Sequence, residues 1–372
     1  MQKRYCWGTT TLALLAVGGV MTGLPRANGM LVESGTIWVT ERTTGGQSTV
    51  AAIDAATGDP LGVVGVGNNP IGITAPSGTH KVYSSDEDAD QVSVIRKDDL
   101  SVVQIPVGDR PHHLMASRNG RYVYVAQFGT NAVAVIDTHV DEKVDDLIVS
   151  LKPQSRTHAV WISPNGRYLY ATNEDSSTPQ KGTFSKFDVG ARTIVWEYEV
   201  GNRPSEVLVD NDTAYVSVRN EHLIKVFDVG GPQPQPIGLA EANFEPDTLS
   251  LTNDKRTLIV GLRRNPPLTS ARMAFVDTEA ISDLSVLIPT YLTLPGVITG
   301  HQAISSNGHL TYIALEGRVA SASMPGIPGQ IAVVDNELRA LITTYVYPNR
   351  NIRPHGVFFE QPRQPDLEQG QH

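Results

Sequence analysis

The sequence predicts an all-β protein, a seven-bladed β-propeller built from four-stranded antiparallel blades. Three observations support this fold class. A unit of about 40 to 50 residues recurs along the chain, which is a typical spacing of propeller blades. Each copy contains short runs of alternating apolar and polar residues, separated by Gly, Pro and Asn, as expected for strands and tight turns. No apolar stretch of useful length follows the period of a helix.

The clearest copy of the repeat covers residues 110–125. Pro111 begins a short strand, the Asn119-Gly120 pair supplies the positive φ angles of a tight hairpin turn, and a second strand follows. A third strand that ends on Asp and a more polar fourth strand complete the unit. On this alignment, the inner strands begin at Pro70, Pro111, Thr157, Pro204, Pro246, Gly300 and Pro354.

The two ends of the repeat region predict how the ring closes. Residues 353–360 resemble an inner strand with no blade after it, and residues 36–67 resemble three outer strands with no inner strand before them. Pairing the C-terminal strand with the N-terminal blade would complete the seventh blade and remove an open sheet edge. We therefore expect one propeller domain over 30–360, followed by a polar tail over 361–372.

The first 29 residues have the composition of a secretory signal peptide. Lys3 and Arg4 precede an apolar stretch from Thr9 to Leu24, and small residues lie before a plausible cleavage point. The alternative is an uncleaved anchor, although the apolar run is short for a membrane span. A cleaved signal predicts a periplasmic or extracellular protein without a membrane span, and removes Cys6, the only cysteine.

The charge of the chain bears on its partners. The formal net charge of the 372 residues is −9, and loss of the signal peptide would make it more negative. An acidic protein of this kind is not expected to bind nucleic acid in general, because that needs a basic surface. We expect a monomer whose partner is a small-molecule or protein ligand.

The repeat resembles that of YVTN-type β-propeller proteins, in the YVTN/lactonase-like seven-bladed superfamily. The motifs that carry the resemblance are Tyr170-Ala171-Thr172-Asn173, residues 122–126, and the frame Arg-Pro-His followed by Ser, Asn-Gly and Arg-Tyr. The resemblance covers nearly all of residues 35–360 and implies the propeller fold. Similar propellers serve as binding proteins, as parts of copper and haem reductases, and as lactonases or lyases, so the fold leaves the function open.

One face of the predicted propeller carries the residues of interest. The loops into the inner strands and the loops between second and third strands share this face, and the Asn-Gly turns lie on the other. Long loops at 176–182, 265–271 and 318–329 decorate it, and such loops often carry binding sites. The register predicts that the second strands end on this face at Glu41, Arg42, Asp86, Glu87, Gln127, Asn173, Glu174, Arg219, Arg263 and Glu316.

Four histidines are predicted to converge on the channel from this face. They are His112, His158, His301 and His355, and neutral imidazole is a common ligand of Fe, Cu and Zn. A transition metal is therefore one possible cofactor. The alternative is that these side chains only line a wet channel, hydrogen-bonded to water or to a neighbouring carbonyl oxygen. His113 is predicted to point the other way, between blades.

Arginines of the same face form a candidate anion site. Guanidinium groups bind carboxylates or phosphates through paired hydrogen bonds. The alternative is that they pair with acids of the blades such as Glu41 or Glu316. The candidate ligand-binding residues are Arg110, Arg156, Arg219, Arg263, Arg353 and Asp247.

Two functions remain open at this point. The first is an exported propeller that binds a ligand or protein partner on the decorated face without turnover. The second is a metal-dependent lyase, lactonase or oxidoreductase, with the four histidines as ligands and Glu174 and Glu316 as catalytic acid/base candidates. No Gly-x-Ser-x-Gly, phosphate-binding glycine loop or His-Glu-x-x-His motif is present, so the sequence does not decide whether the protein is an enzyme.

Overall fold

The computed structural model describes residues 22–23, 33–43, 46–175, 181–263, 270–281, 286–287, 289–296, 298–318, 326–347, 349 and 351–361. The predicted signal peptide, apart from residues 22–23, lies outside the described residues. So do nearly all of the predicted tail and the greater part of the three long loops.

The described residues form short strands, named here in chain order. The first are β1 (Thr22–Gly23), β2 (Thr36–Thr43), β3 (Thr49–Asp54) and β4 (Pro60–Gly65). Next come β5 (Pro70–Thr74), β6 (Lys81–Asp86), β7 (Gln91–Arg96), β8 (Val102–Pro106), β9 (Pro111–Ala116), β10 (Tyr122–Gln127), β11 (Ala132–Asp137) and β12 (Glu142–Ile148). They are followed by β13 (Ser155–Ile162), β14 (Tyr168–Asp175), β15 (Gly182–Asp188), β16 (Thr193–Gly201), β17 (Pro204–Asp210), β18 (Thr213–Val218), β19 (Leu223–Asp228) and β20 (Gln235–Glu241). The last are β21 (Pro246–Leu251), β22 (Thr257–Leu262), β23 (Ala271–Asp277), β24 (Val286–Leu287), β25 (Thr290–Leu294), β26 (Ile298–Ile304), β27 (Leu310–Glu316), β28 (Gln330–Asp335), β29 (Ala340–Val346) and β30 (Ile352–Glu360). Single 3₁₀ turns cover Glu87–Ala89 and Arg219–Glu221.

These strands form seven four-stranded antiparallel blades, which confirms the predicted fold class. Blade 1 has the order β30-β2-β3-β4, so the C-terminal strand completes the N-terminal blade as predicted. Blades 2 to 7 follow in chain order, with β5, β9, β13, β17, β21 and β26 as inner strands. Each inner strand contacts those of the two neighbouring blades, and this closes the ring. Two short additions, β1 beside β29 and β24 beside β20, extend blades 7 and 5 at their outer edges.

The apolar core lies between neighbouring blades. Seven buried clusters occur among the described residues, one at each blade interface. Between blades 4 and 5, for example, Tyr170, Phe184, Trp196 and Phe227 pack together, with Phe184 and Trp196 ring centroids 5.0 Å apart in an edge-to-face arrangement. The tyrosines of the repeat are thus mainly blade packing, and the central channel is left for polar residues. No helix in the described part of the chain is long and apolar enough to cross a membrane.

Every inner strand carries a register shift near its start. In each blade, the pairing between the inner and the second strand skips one or two residues within the first five residues of the inner strand. In β9 the shift falls between Pro111, which pairs with Gln127, and Leu114, which pairs with Val125. Such bulges turn side chains away from the regular alternation of a strand. They bring His112, His158, Asp247 and His355 toward the axis.

Candidate functional site

The mouth of the channel is built from residues that occupy equivalent places in the seven blades. One residue per blade lies at or next to the end of the second strand, and this ring comprises Arg42, Glu87, Phe128, Glu174, Arg219, Arg263 and Glu316. The position two residues before the first residue of the bulge adds Arg110, Arg156, Arg203, Glu245 and Arg353. The first residue of the bulge adds His112, His158, Asp247 and His355. We call these residues together the channel mouth.

A buried ion pair joins blades 5 and 6. Arg219 Nε donates a hydrogen bond of 2.8 Å to Asp247 Oδ1, and its Nη2 donates to the same oxygen. Burial would raise the pKa of Asp247, but the charges of Arg219 and Arg263 outweigh this effect and hold the pKa well below its ordinary value. Asp247 is only 3% exposed, so its charge depends on these arginines.

His158 is fixed by the same arginine. Its Nε2 lies 3.0 Å from Arg219 Nη2, which can only donate, and its Nδ1 lies 2.9 Å from the carbonyl oxygen of Ser205. The neutral tautomer with hydrogen on Nδ1 satisfies both contacts. Burial and the neighbouring charges of His112 and Arg219 lower the pKa of His158, which agrees with a neutral ring.

A second buried cluster joins blades 7 and 1 around Glu316. The carboxylate accepts hydrogen bonds from the guanidinium groups of Arg42 and Arg353. His355 Nδ1 lies 2.7 Å from Glu316 Oε1. Burial would raise the pKa of Glu316, but Arg42 and His355 hold it well below its ordinary value. This geometry favours an anchoring role, and the predicted acid/base role of Glu316 stays a prediction.

His112 and Phe128 form the blade 3 side of the mouth. The His112 ring packs 4.2 Å from the His158 ring and 5.3 Å from the Phe128 ring, measured between centroids. The guanidinium groups of Arg110 and Arg156 lie 5.0 and 5.7 Å from the Phe128 centroid. Phe128 was missed in the sequence because the ring position was assigned to Gln127, one residue earlier. A comparison of the blades would have identified Phe128, because the other six carry Arg or Glu at the equivalent position.

Three polar atoms at the mouth are buried without a hydrogen-bond partner among the described residues. They are Arg42 Nε, His112 Nδ1 and Glu174 Oε1. The nearest cations to Glu174 are Arg203, with Nε 3.5 Å from Oε2, and Arg219, with Nη1 3.8 Å from Oε1. Buried polar atoms of this kind are uncommon in folded proteins, so they mark a place where a bound group would find donors and acceptors.

The arginines of the mouth differ in how fully they are paired. Arg110 pairs with Glu87, and Arg353 pairs with Glu316. Arg263 Nη1 lies 3.6 Å from Asp247 Oδ2, beyond hydrogen-bond distance. For Arg156, no acid lies within ion-pair distance in the described part of the chain, and the side chain is exposed. Pairing therefore explains some of these arginines and leaves Arg156 and Arg263 with donors for a ligand.

The charges of the mouth act on one another across the channel. Burial lowers the pKa of Arg42, and the charges of Arg353 and Arg263 lower it further while Glu316 raises it. Seven arginines and five carboxylates belong to the mouth, in a protein whose formal net charge is −9. A positive mouth on an acidic protein concentrates anions at this place.

The predicted ring of four histidines is only partly formed. His112 packs against His158, and His301 packs against His355 at a centroid distance of 4.9 Å. His301 is not the counterpart of His112. Thr299 pairs with Leu315 and Gln302 with Ile313, so Gly300 takes the place of His112 and His301 that of His113. His301 lies one residue nearer to its Asn-Gly turn than His112 does.

His113 faces a cavity on the axis, where its ring lies 5.9 Å from that of His301, and its Nδ1 accepts a hydrogen bond of 3.5 Å from the backbone N–H of Val160 in the next blade. His158 is held by a neighbouring carbonyl oxygen, that of Ser205, as one alternative for the histidines predicted. His112, His158 and His355 are all buried. Among the described residues, no group of three or more His, Cys, Asp or Glu side chains is arranged to hold a metal ion. Metal binding by His112, His158, His301 and His355 stays a prediction.

We expect His301 to make stability depend on pH. Burial lowers its pKa from 6.5 to about 4, so the unfolded chain takes up this proton first as the pH falls. As the pH falls from about 6.5 to 4, the wild type should lose up to about 3 kcal/mol of unfolding free energy that the His301→Gln variant keeps. Urea unfolding at several pH values measures this difference. The exposed His139 gives the matched control, and a His301→Gln curve parallel to the wild type would contradict the prediction.

Comparisons with known proteins agree with this architecture. A family model described as a seven-bladed β-propeller lactonase matches residues 36–174. A putative 6-phosphogluconolactonase from Bacteroides fragilis superposes with a TM-score of 0.63 at 17% identity, over 89% of this chain and 99% of that chain. The periplasmic gluconolactonase of Pseudomonas aeruginosa gives 0.63 at 18% identity, over 88% and 99%. Hydrazine synthase of Kuenenia stuttgartiensis gives 0.60 at 19% identity, over 71% and 86%.

At these identities the solved structures show the fold alone. No curated protein sequence matches the chain significantly. The family model and the closed ring of seven blades nevertheless agree with the repeat motif on which the resemblance was based. The chain is a seven-bladed β-propeller, and its residues 36–174 match the family model of the seven-bladed propeller lactonases.

Proposed function

We propose that this propeller is exported and binds a small organic acid, such as a sugar acid or its phosphate ester, at the channel mouth. The observation that carries the proposal is the excess of arginines over carboxylates there, with Arg156 and Arg263 incompletely paired. A bound carboxylate or phosphate would accept charge-assisted hydrogen bonds from these guanidinium groups. Export is supported by the composition of residues 1–29 and, by analogy of fold, by the periplasmic gluconolactonase.

Titration calorimetry with gluconate and 6-phosphogluconate tests this binding. We expect Arg156→Ala and Arg263→Ala each to weaken binding about tenfold, because a hydrogen bond to a charged group contributes about 1.5–3 kcal/mol. Added salt should weaken binding as well. Arg256→Ala is the matched control, since Arg256 pairs with Glu279 at the surface near the Asn-Gly turns. The proposal fails if neither acid binds the wild type, or if the two mouth variants bind as well as the control.

Lactone hydrolysis at the same mouth is the second candidate. It is favoured by the match to the lactonase family model and by the unpartnered atoms Glu174 Oε1 and His112 Nδ1. In this reaction Glu174 would take a proton from the water that attacks the lactone carbonyl and return it to the ring oxygen as the bond between that oxygen and the carbonyl carbon breaks. The product is a hydroxy acid, whose carboxyl proton is released to solvent. The arginines would stabilise the oxyanion and the carboxylate product. No metal is required for these steps.

Ring opening of gluconolactone, followed by proton release, separates the two candidates. Turnover above the buffer rate that is lost in Glu174→Gln, with gluconate affinity unchanged, would establish hydrolysis. Binding without turnover would leave the protein as a ligand-binding propeller.

A further inference from the structure

A separate cavity lies on the axis beyond the channel mouth. It has a volume of about 490 Å³ and is lined by residues of all seven blades. On β9 the mouth residue His112 comes first, and His113 to Arg118, which follow it, all line the cavity. The cavity reaches the exposed residues Ser77 and Arg118 beside the tight turns. It therefore approaches the face opposite the mouth, and we call it the lower chamber.

The buried clusters of the mouth lie at its inner end. Arg219 with Asp247 and His158 fill one side of the axis, and Glu316 with His355 fill the other. These side chains are at most 8% exposed, and none lines the lower chamber. A ligand at the mouth and a molecule in the lower chamber would thus occupy different sites.

Polar groups without a role at the mouth form the inner end of the lower chamber. His113 Nε2 lies 3.7 Å from Glu206 Oε1, and His301 packs against His113. Thr248 Oγ1 and Gln302 Oε1, which also line the chamber, are buried without hydrogen-bond partners among the described residues. Several donors and acceptors therefore face one small space.

Among the described residues that line the chamber, the one arginine, Arg118, lies at the outer end, and Glu206 is the one carboxyl group at the inner end. Burial, with a contribution from the charge of Asp247, raises the pKa of Glu206 well above its ordinary value and so favours its neutral form. An anionic ligand would find no arginine or lysine at this end of the chamber, and burial of an unpaired charge is costly.

The walls of the chamber are mainly apolar. They include Leu114, Leu249, Val357 and Phe359, each at most 8% exposed, and the partly buried Trp161. Apolar walls with a few convergent polar groups are typical of sites for small molecules. The volume is also within the usual range of such sites.

We propose that the lower chamber is a second binding site, for a neutral molecule with an apolar ring and one hydroxyl or carbonyl group. The ring packs against Leu249 and Phe359, and the polar group exchanges hydrogen bonds with Glu206 and Thr248. The site is independent of the acid site proposed for the mouth. It is reached from the face of the Asn-Gly turns.

Phenol, toluene and benzoate form a matched set of probes for this site. Phenol has the ring and the hydroxyl, toluene lacks the polar group, and benzoate adds a charge. We expect phenol to bind one-to-one and to change the fluorescence of Trp161, with toluene and benzoate at least tenfold weaker. Calorimetry and tryptophan fluorescence, at probe concentrations up to about 10 mM, measure these affinities.

Variants locate the bound phenol. Leu249→Trp should block the chamber, and Glu206→Leu should weaken phenol binding at least tenfold, whereas Glu206→Gln, which keeps donors and acceptors, should retain it. Arg263→Ala at the mouth should leave phenol binding unchanged. Should Leu249→Trp fail to fold, the pair Glu206→Leu and Glu206→Gln decides the matter. Absence of phenol binding to the wild type, equal binding of benzoate, or undiminished binding in Glu206→Leu would overturn the proposal.

Discussion

Replacement of Arg219 by methionine is expected to lower the free energy of unfolding by about 3–5 kcal/mol, the usual loss when one partner of a buried ion pair is removed. Asp247 would keep its buried carboxylate with only Arg263 nearby, at 3.6 Å. His158 would lose the donor to its Nε2. Both losses leave buried polar atoms with fewer hydrogen-bond or ion-pair partners, and water does not replace those partners. Equilibrium unfolding in urea measures the change.

A double replacement distinguishes the loss of the ion pair from the loss of packing contacts at this position. Arg219→Met combined with Asp247→Leu removes both charges, and should recover much of the lost stability, since apolar replacements of buried ion pairs are often neutral or stabilising. Arg256→Met serves as the control, because Arg256 and Glu279 are both about two-thirds exposed. Exposed pairs contribute about 0–1 kcal/mol. If Arg219→Met lost no more stability than this control, the buried pair would not hold blades 5 and 6 together.

Removal of the closing strand is expected to have a still larger effect. Without residues 352–372, blade 1 would lose its inner strand, and Val357 and Phe359 would leave the cluster that they share with Ile37 and Tyr312. The edge of β2 would then be open, as would the facing sides of β5 and β26. We expect a protein without a cooperative thermal transition and prone to aggregation, because open edges and exposed apolar faces favour association. Scanning calorimetry and size-exclusion chromatography measure both properties.

A shorter deletion provides the control for this experiment. Removal of residues 362–372 alone leaves β30 and its pairing with β2 complete. That variant should melt at the wild-type temperature. A cooperative transition in the longer deletion would mean that six complete blades are stable without the closure.

The fold could be predicted because its signals are local. Asn119-Gly120 and Asn165-Gly166 mark turns, and β-branched and aromatic residues mark the strands between them. The same pattern placed His112, His158, His355, Arg219 and Asp247 near the channel, since equivalent positions in a repeat occupy equivalent places in the ring. The prediction failed at His301, because this histidine lies one residue nearer to its Asn-Gly turn than His112 does and so takes the second position of the bulge.

The pairings of the site could not be read from the sequence. Whether Arg219 meets Asp247 or Glu174 depends on side-chain directions across a blade interface, and these are set by the bulges. The burial of the histidines could not be read from the sequence either. A lining of a wet channel was one alternative for them, but arginines and acids surround His158 and His355 and leave them at most 4% exposed.

The closure of blade 1 also sets the order in which the chain can fold. β2, β3 and β4 end at Gly65, and their inner strand β30 begins only at Ile352. At about 5–20 residues per second, a ribosome needs on the order of tens of seconds to make the intervening chain. During this time the first blade cannot be completed, and its strands stay accessible to other chains or to a chaperone. The ring can therefore close only once β30 has been made.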